Sequence, residues 1–132
     1  MLNPESVLAP VPPPLAAPPP RPSSTLVYVT GEVTAKLGAE ETVWGQLNVL
    51  LERTRYDRGN LRYEIFRDAG DPGHFLVHQT WKTPQHLHRH LRSEPVARCI
   101  GAIRAAAQVP LALTVCDVQR AHTKPAPTGK RP

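Results

Sequence analysis

Proline confines the foldable part of this chain. Nine of its sixteen prolines fall between Pro4 and Pro22, where Pro12, Pro13 and Pro14 and then Pro18, Pro19 and Pro20 run consecutively. Each proline fixes φ and removes an amide donor, so this segment forms neither a helix nor an interior strand. Residues 1–24 are therefore predicted to be a proline-rich disordered arm, residues 25–119 a single domain and residues 120–132 a basic disordered tail. The arm has no basic start before Val7 and no unbroken apolar run, which argues against a secretion signal. No stretch of the chain approaches the roughly 20 apolar residues that cross a bilayer. The expected compartment is the cytoplasm, with no membrane partner.

The net charge of +5 raises the question of nucleic acid, and its distribution answers it. From Thr25 to Arg120 twelve Lys and Arg face ten Asp and Glu, whereas Lys124, Lys130 and Arg131 stand unbalanced in the last dozen residues. No stripe of arginine interleaved with aromatics marks a binding face, so no specific nucleic acid is expected and the tail reads as solubilising. Cys99 and Cys116 stand in no CxxC or Cys/His spacing and read as small buried hydrophobes rather than as a zinc or redox pair. A disulfide between them is disfavoured in a reducing compartment.

The order of elements follows from pattern. Residues 25–35 are rich in β-branched side chains and alternate as a strand does. Gly38 breaks the chain, and Val43, Leu47, Leu50 and Leu51 then recur at helical spacing, with Glu40 and Glu41 in the first turn where the helix dipole favours acid, up to about Tyr56. A turn at Arg58, Gly59 and Asn60 leads into a strand over 61–67, and residues 68–73 form a loop before a strand over 75–81. Thr83 followed by Pro84, and Ser93 followed closely by Pro95, are two successive helix starts. Val96, Ile100 and Ile103 line the second of these helices, Pro110 ends it, and residues 111–118 form the last strand.

This order, β-α-β-β-α-β with a divided second helix, predicts an α+β fold: a ferredoxin-like antiparallel sheet with helices on one face. The other face, from alternate residues of 61–66 and 75–80, is expected to be mostly apolar or aromatic. A homodimer pressing two such faces together, a dimeric α+β barrel, would cover it and protect the edge strands.

Particular residues carry a family resemblance. The run from Arg58 to Asp68, with Gly59, Leu61 and Tyr63 as Gly-x-Leu-x-Tyr, resembles the second-strand signature of the antibiotic biosynthesis monooxygenases. Gln79 to Lys82 is similar to that family's third-strand tryptophan segment, and His90 to Ser93 to its histidine at the turn between the paired helices; Gly38 fits as well. The resemblance spans residues 25–119 and implies a quinol monooxygenase-like enzyme. Such enzymes use no metal, flavin or haem. A reduced aromatic such as a quinol or anthrone enters a cavity between sheet and helices and reacts there with molecular oxygen, and for this chain a place in secondary metabolism is expected.

Within that resemblance His90 is the candidate base for a phenol or carbon acid, the alternative being a surface residue or helix cap. Trp81 and Tyr63 are candidate catalytic side chains, walls able to donate an indole N–H or phenol to a substrate oxygen; the alternative for both is ordinary core packing. Asn60 could contact a substrate oxygen, although a turn role with Gly59 competes. His78 is a further substrate-binding candidate, but alternation puts it on the sheet face opposite Trp81 unless the strand bulges. Two positions depart from the family. Pro95 stands where a second histidine often does, and Gly31 stands where the haem-degrading branch has asparagine, which disfavours haem degradation.

His86, His88 and His90 alternate in a way that invites a metal reading. On a helix His88 points roughly 160° away from the other two, so no metal site is expected there, and the resemblance implies no cofactor. The expected activity is cofactor-free monooxygenation of a quinol, anthrone or related polyketide-type aromatic. The alternatives are a non-oxidative cyclase or isomerase on the same scaffold, or a non-catalytic dimeric module whose arm, with Pro19 to Pro22 as a weak PxxP motif, recruits a partner.

Overall fold

The computed structural model describes residues 25–109, 111–120 and 122–127. The expectations about residues 1–24, and those for Pro110, Lys130 and Arg131, lie outside the described residues. The elements are β1 (Leu26–Thr34), α1 (Glu40–Thr54), β2 (Asn60–Asp68), β3 (Asp71–Trp81), α2 (Pro84–Arg92), α3 (Glu94–Ala106) and β4 (Ala112–Val118). The strands form one antiparallel sheet in the order β2-β3-β1-β4. This is the ferredoxin-like α+β arrangement predicted from the sequence.

Alternation decides which side chains meet the helices. In β1 Val27, Val29 and Val33 are buried, and in β3 Phe75, Val77, Gln79 and Trp81 are buried on the same face, since Val27 pairs with Trp81 and Val29 with Gln79. Leu47, Phe75 and Ile103 are fully buried, each contributing roughly 1.5–3 kcal/mol relative to exposure. One cluster joins α1 and α3 to the sheet around these residues, and a second joins Leu87 and Leu91 of α2 to Val27, Val29 and Trp81. At the far end Arg67 lies 4.7 Å from the ring centroid of Trp44 and 4.9 Å from that of Phe75, and pairs with Glu41 at 3.1 Å.

Several boundaries differ from expectation. The loop before β3 contracts to Ala69 and Gly70, because the Asp68 carboxylate accepts the Gly70 N–H at 2.7 Å and closes a tight hairpin. Helix α3 stops at Ala106, before Pro110, where Ala107 bridges to Ala35. Leu61 is the bulged residue of β2, between the register positions of Asn60 and Arg62. Tyr63 and Ile65 consequently face the helices, and Arg62, Glu64 and Phe66 take the open face.

That face is therefore more polar than predicted: an Arg62–Glu64 ion pair and several threonines accompany Tyr28, Phe66 and Leu76. Cys116 is also exposed rather than buried, because it pairs with Tyr28 on that open side of the edge strand β4. Cys99, on the buried side of α3, lies across the sheet from it. The sheet lies between the two thiols and keeps them apart.

Two glycines have positive φ, Gly38 at 86° and Gly59 at 84°. A methyl at Gly38 would meet nothing, whereas one at Gly59 would run into the His86 ring. Gly59→Ala combines backbone strain with overpacking and is expected to cost about 2–4 kcal/mol, against about 1 kcal/mol for Gly38→Ala. Urea unfolding of the two variants checks this through the difference in their midpoints.

Candidate active site

Helix α2 begins because the Thr83 hydroxyl accepts the His86 N–H at 3.2 Å and Pro84 needs no partner in the first turn. Ser93 ends it and starts α3: its N–H donates to the His90 carbonyl at 3.1 Å, and its hydroxyl accepts the Val96 N–H at 3.4 Å. The elbow leaves His90 in the last turn of α2, below Leu87 on the inward stripe, with only 4% of its surface exposed. A surface role for His90 is thereby removed.

The imidazole meets a carboxylate from the α1–β2 turn. His90 Nδ1 lies 2.6 Å from Asp57 Oδ2. Since a carboxylate only accepts, Nδ1 carries the proton and Nε2 is the nitrogen left for a ligand. Asp57 is held in turn by its own N–H on the Thr54 carbonyl and by the Asn60 N–H on its carbonyl. Gly59 fixes the same turn to the sheet by accepting the Lys82 N–H at 2.8 Å, and to α2 by contact with the His86 ring, whose Nδ1 lies 2.6 Å from the Thr83 hydroxyl.

Burial lowers the His90 pKa below its ordinary value of 6.5, and the hydrogen bond and charge of Asp57 partly offset that. Tyr63, on β2, moves the other way: burial, with Cys99 beside it, raises its phenol well above the usual range. The site thus pairs a neutral imidazole with a phenol that stays protonated.

Between sheet and helices lies a hollow lined by Leu47, Leu50, Val77, Val96, Ile100 and Ile103, with Tyr63, Gln79 and His90 as its polar heads. It is narrow. About 20 Å³ is open to the centre of a water molecule, room for about one or two waters. Leu91, Ile100, Leu111 and Leu113 are its half-buried side chains, and an aromatic ring needs more room than they leave. Gly31 also lines it, and Leu113 of β4 sits 2.8 Å from where a Gly31 Cβ would be, filling the space above the glycine.

The candidates from sequence divide accordingly. His90 and Tyr63 reach the hollow, their rings 6.2 Å apart. Trp81 is fully buried with its ring 4.7 Å from that of His90, but it does not line the hollow, and its indole N–H already donates to Gln79 Oε1 at 2.8 Å. The expected donation to a substrate oxygen meets an N–H that is engaged, because Gln79 is its same-face neighbour two residues back on the strand.

Asn60 spends its amide on the Arg62 carbonyl at 3.1 Å and serves the turn and bulge. His78 lies on the open face, edge-on to Tyr28 and 3.7 Å from Glu64, away from the hollow. His86 packs on Gly59, His88 is exposed near Arg92, and His90 is buried, so the three imidazoles occupy separate surroundings. Sequence reasoning missed Gln79 and Asp57. Gln79 was detectable as a lone polar residue on the buried face of β3; Asp57, thirty-three residues from its partner, carries no local signal.

A four-stranded ferredoxin-like sheet with a His/Tyr/Gln hollow beneath its helices defines a small α+β domain. The antibiotic biosynthesis monooxygenase family model matches residues 26–102, and the chain belongs to that family. A solved antibiotic biosynthesis monooxygenase is similar at 26% identity over 71% of this chain and 99% of its own, with a TM-score of 0.66. A Deinococcus radiodurans protein, itself assigned to this family only provisionally, is 25% identical over 74% of this chain and 97% of its own, with a TM-score of 0.69. A Mycobacterium tuberculosis protein shares the fold at 17% identity, a TM-score of 0.69, and coverage of 75% of this chain and all of its own. No curated protein matches the sequence. Among the described residues no helix is long and apolar enough to cross a membrane.

The lowered pKa of His90 sets a pH dependence. Below about 6.5 the unfolded histidine takes up a proton that the folded one refuses, so the stabilisation present above that value is lost as pH falls. Urea midpoints at pH 7.5 and 5.5 are expected to fall with pH in the wild type, with a weaker fall in His90→Gln. The fall should be steeper in Asp57→Asn, which removes the offsetting charge.

Proposed function

We propose that the domain is a cofactor-independent monooxygenase that oxidises a quinol, anthrone or related aromatic with molecular oxygen. The observation that carries this reading is the Asp57–His90 pair at the head of an apolar hollow. His90 Nε2 takes a proton from the bound phenol or carbon acid, and Asp57 holds the ring orientation and offsets the imidazolium charge. The Tyr63 phenol, kept protonated by burial, donates to the substrate oxygen.

The resulting anion passes an electron to oxygen, and the two radicals recombine in a space from which the leucines and isoleucines exclude bulk water. For an anthrone the net change is CH2 to C=O, with one oxygen atom retained and the other released as water. Oxygen uptake with a panel of quinols and anthrones tests the reading. His90→Gln is expected to lower kcat/KM by about 10²–10⁴-fold. Proton exchange or cyclisation of the same substrates without oxygen uptake would favour the non-oxidative alternative instead.

The working unit in this proposal is a homodimer. Phe66, half exposed, with Leu76 and Tyr28 on the open sheet face, gives a surface that a second copy would cover, and the Arg62–Glu64 pair would sit at its rim. Sedimentation is expected to show a dimer, and Phe66→Asp to shift it towards monomer. A wild-type monomer at micromolar concentration would remove the dimer from the proposal.

A further inference from the structure

Gln79 is placed as few polar side chains in this domain are. It is buried, with 3% of its surface exposed, on the helix-facing side of the inner strand β3, and it lines the hollow. Its direct cross-strand partners are Tyr63 on one side and Val29 on the other, and Trp81 is a same-face neighbour. His90 lies over the two aromatic neighbours, 4.7 Å from the Trp81 ring and 6.2 Å from the Tyr63 ring, centroid to centroid.

The bond to Trp81 fixes which way the amide points. An indole N–H can only donate, so the oxygen of Gln79 must face Trp81, and the NH2 group is the end left over. Among the described residues no fully buried side-chain nitrogen or oxygen lacks a partner. The Gln79 NH2, to which the structure gives no acceptor among the described residues, is therefore not fully enclosed, and the hollow is what its side chain lines. It is a neutral donor held in place before a ligand arrives, among walls too apolar to compete for it.

A donor of this kind favours a ligand oxygen that gains negative charge, because it strengthens as charge develops and needs no reorientation. Resting on the reading of His90 as base, we propose that the Gln79 amide binds the ionised oxygen of the substrate. The site would then select phenols and enols whose proton His90 can take, with Trp81 acting as a positioning residue that aims the amide. The proton moves from the substrate O–H to His90 Nε2, the electron pair stays on the substrate oxygen, and the Gln79 NH2 and Tyr63 OH donate to it. Asp57 balances the new positive charge.

The test uses 4-nitrophenol, whose ionisation is visible by absorbance and which needs no oxygen to report. Bound to the full-length wild type it is expected to ionise at lower pH than when free. Gln79→Glu keeps an acceptor for the Trp81 N–H but replaces the donor with a charge, and should weaken phenolate binding at least tenfold. Trp81→Phe keeps the bulk of the ring and frees the amide to turn, and should weaken phenolate binding several-fold. Thermal midpoints and near-ultraviolet circular dichroism confirm that each variant is folded, and Gln79→Met supplies a second variant if the glutamate disrupts packing.

Phenolate binding in Gln79→Glu or Gln79→Met equal to wild type overturns the proposal, as does a wild type that binds the probe with no preference for its ionised form. Oxygen uptake with quinols is read separately. Gln79-dependent phenolate binding without any uptake would refute the oxygenase reading and leave this one standing. Uptake that is indifferent to Gln79 would do the reverse.

Discussion

The burial of one histidine against one aspartate organises the candidate site of this domain. An imidazole taken out of water among leucines and valines resists protonation, and a carboxylate in contact with its Nδ1 partly restores the charged form. The balance leaves His90 neutral with a defined tautomer, which is the state in which Nε2 can accept a proton. The pair is placed by the Thr83 cap and Pro84 that start α2, by the Ser93 elbow that ends it, and by Gly59, which brings the Asp57 turn against the His86 ring.

The sheet supplies the other half by strand alternation. Odd-numbered residues of β3 face the helices, so Gln79 and Trp81 share a side, and Tyr63 joins them once the bulge at Leu61 sets the register of β2. Without the bulge, Tyr63 would face the open side and the hollow would lose its phenol. The same alternation sends His78, Glu64, Phe66 and Cys116 to the open face. It therefore separates the side that carries the hollow from the open side within one four-stranded sheet.

Much of the fold was legible because its signals are local. β-Branched alternation marked β1, the Val43, Leu47 and Leu50 spacing marked α1, and two Ser/Thr caps with nearby prolines marked α2 and α3. Errors fell where one hydrogen bond overrode composition, as at the Asp68 turn that shortened the hairpin loop, or where an edge strand left a cysteine exposed. For the site, His90 and Tyr63 could be named from motif and position, and the opposite placement of His78 followed from alternation. The engagement of the Trp81 N–H and the approach of Asp57 to His90 could not be read, since both depend on tertiary distances that no periodicity encodes.

The state of the His90 ring tests the central claim most directly. Imidazole nitrogen-15 resonances, recorded on the full-length protein near pH 7, distinguish the two neutral tautomers and the imidazolium. A neutral ring with its proton on Nδ1, passing to the other tautomer or losing its single state in Asp57→Asn, is the expected result. A ring that is charged at that pH, or protonated on Nε2, would contradict it and would leave the hollow without a base.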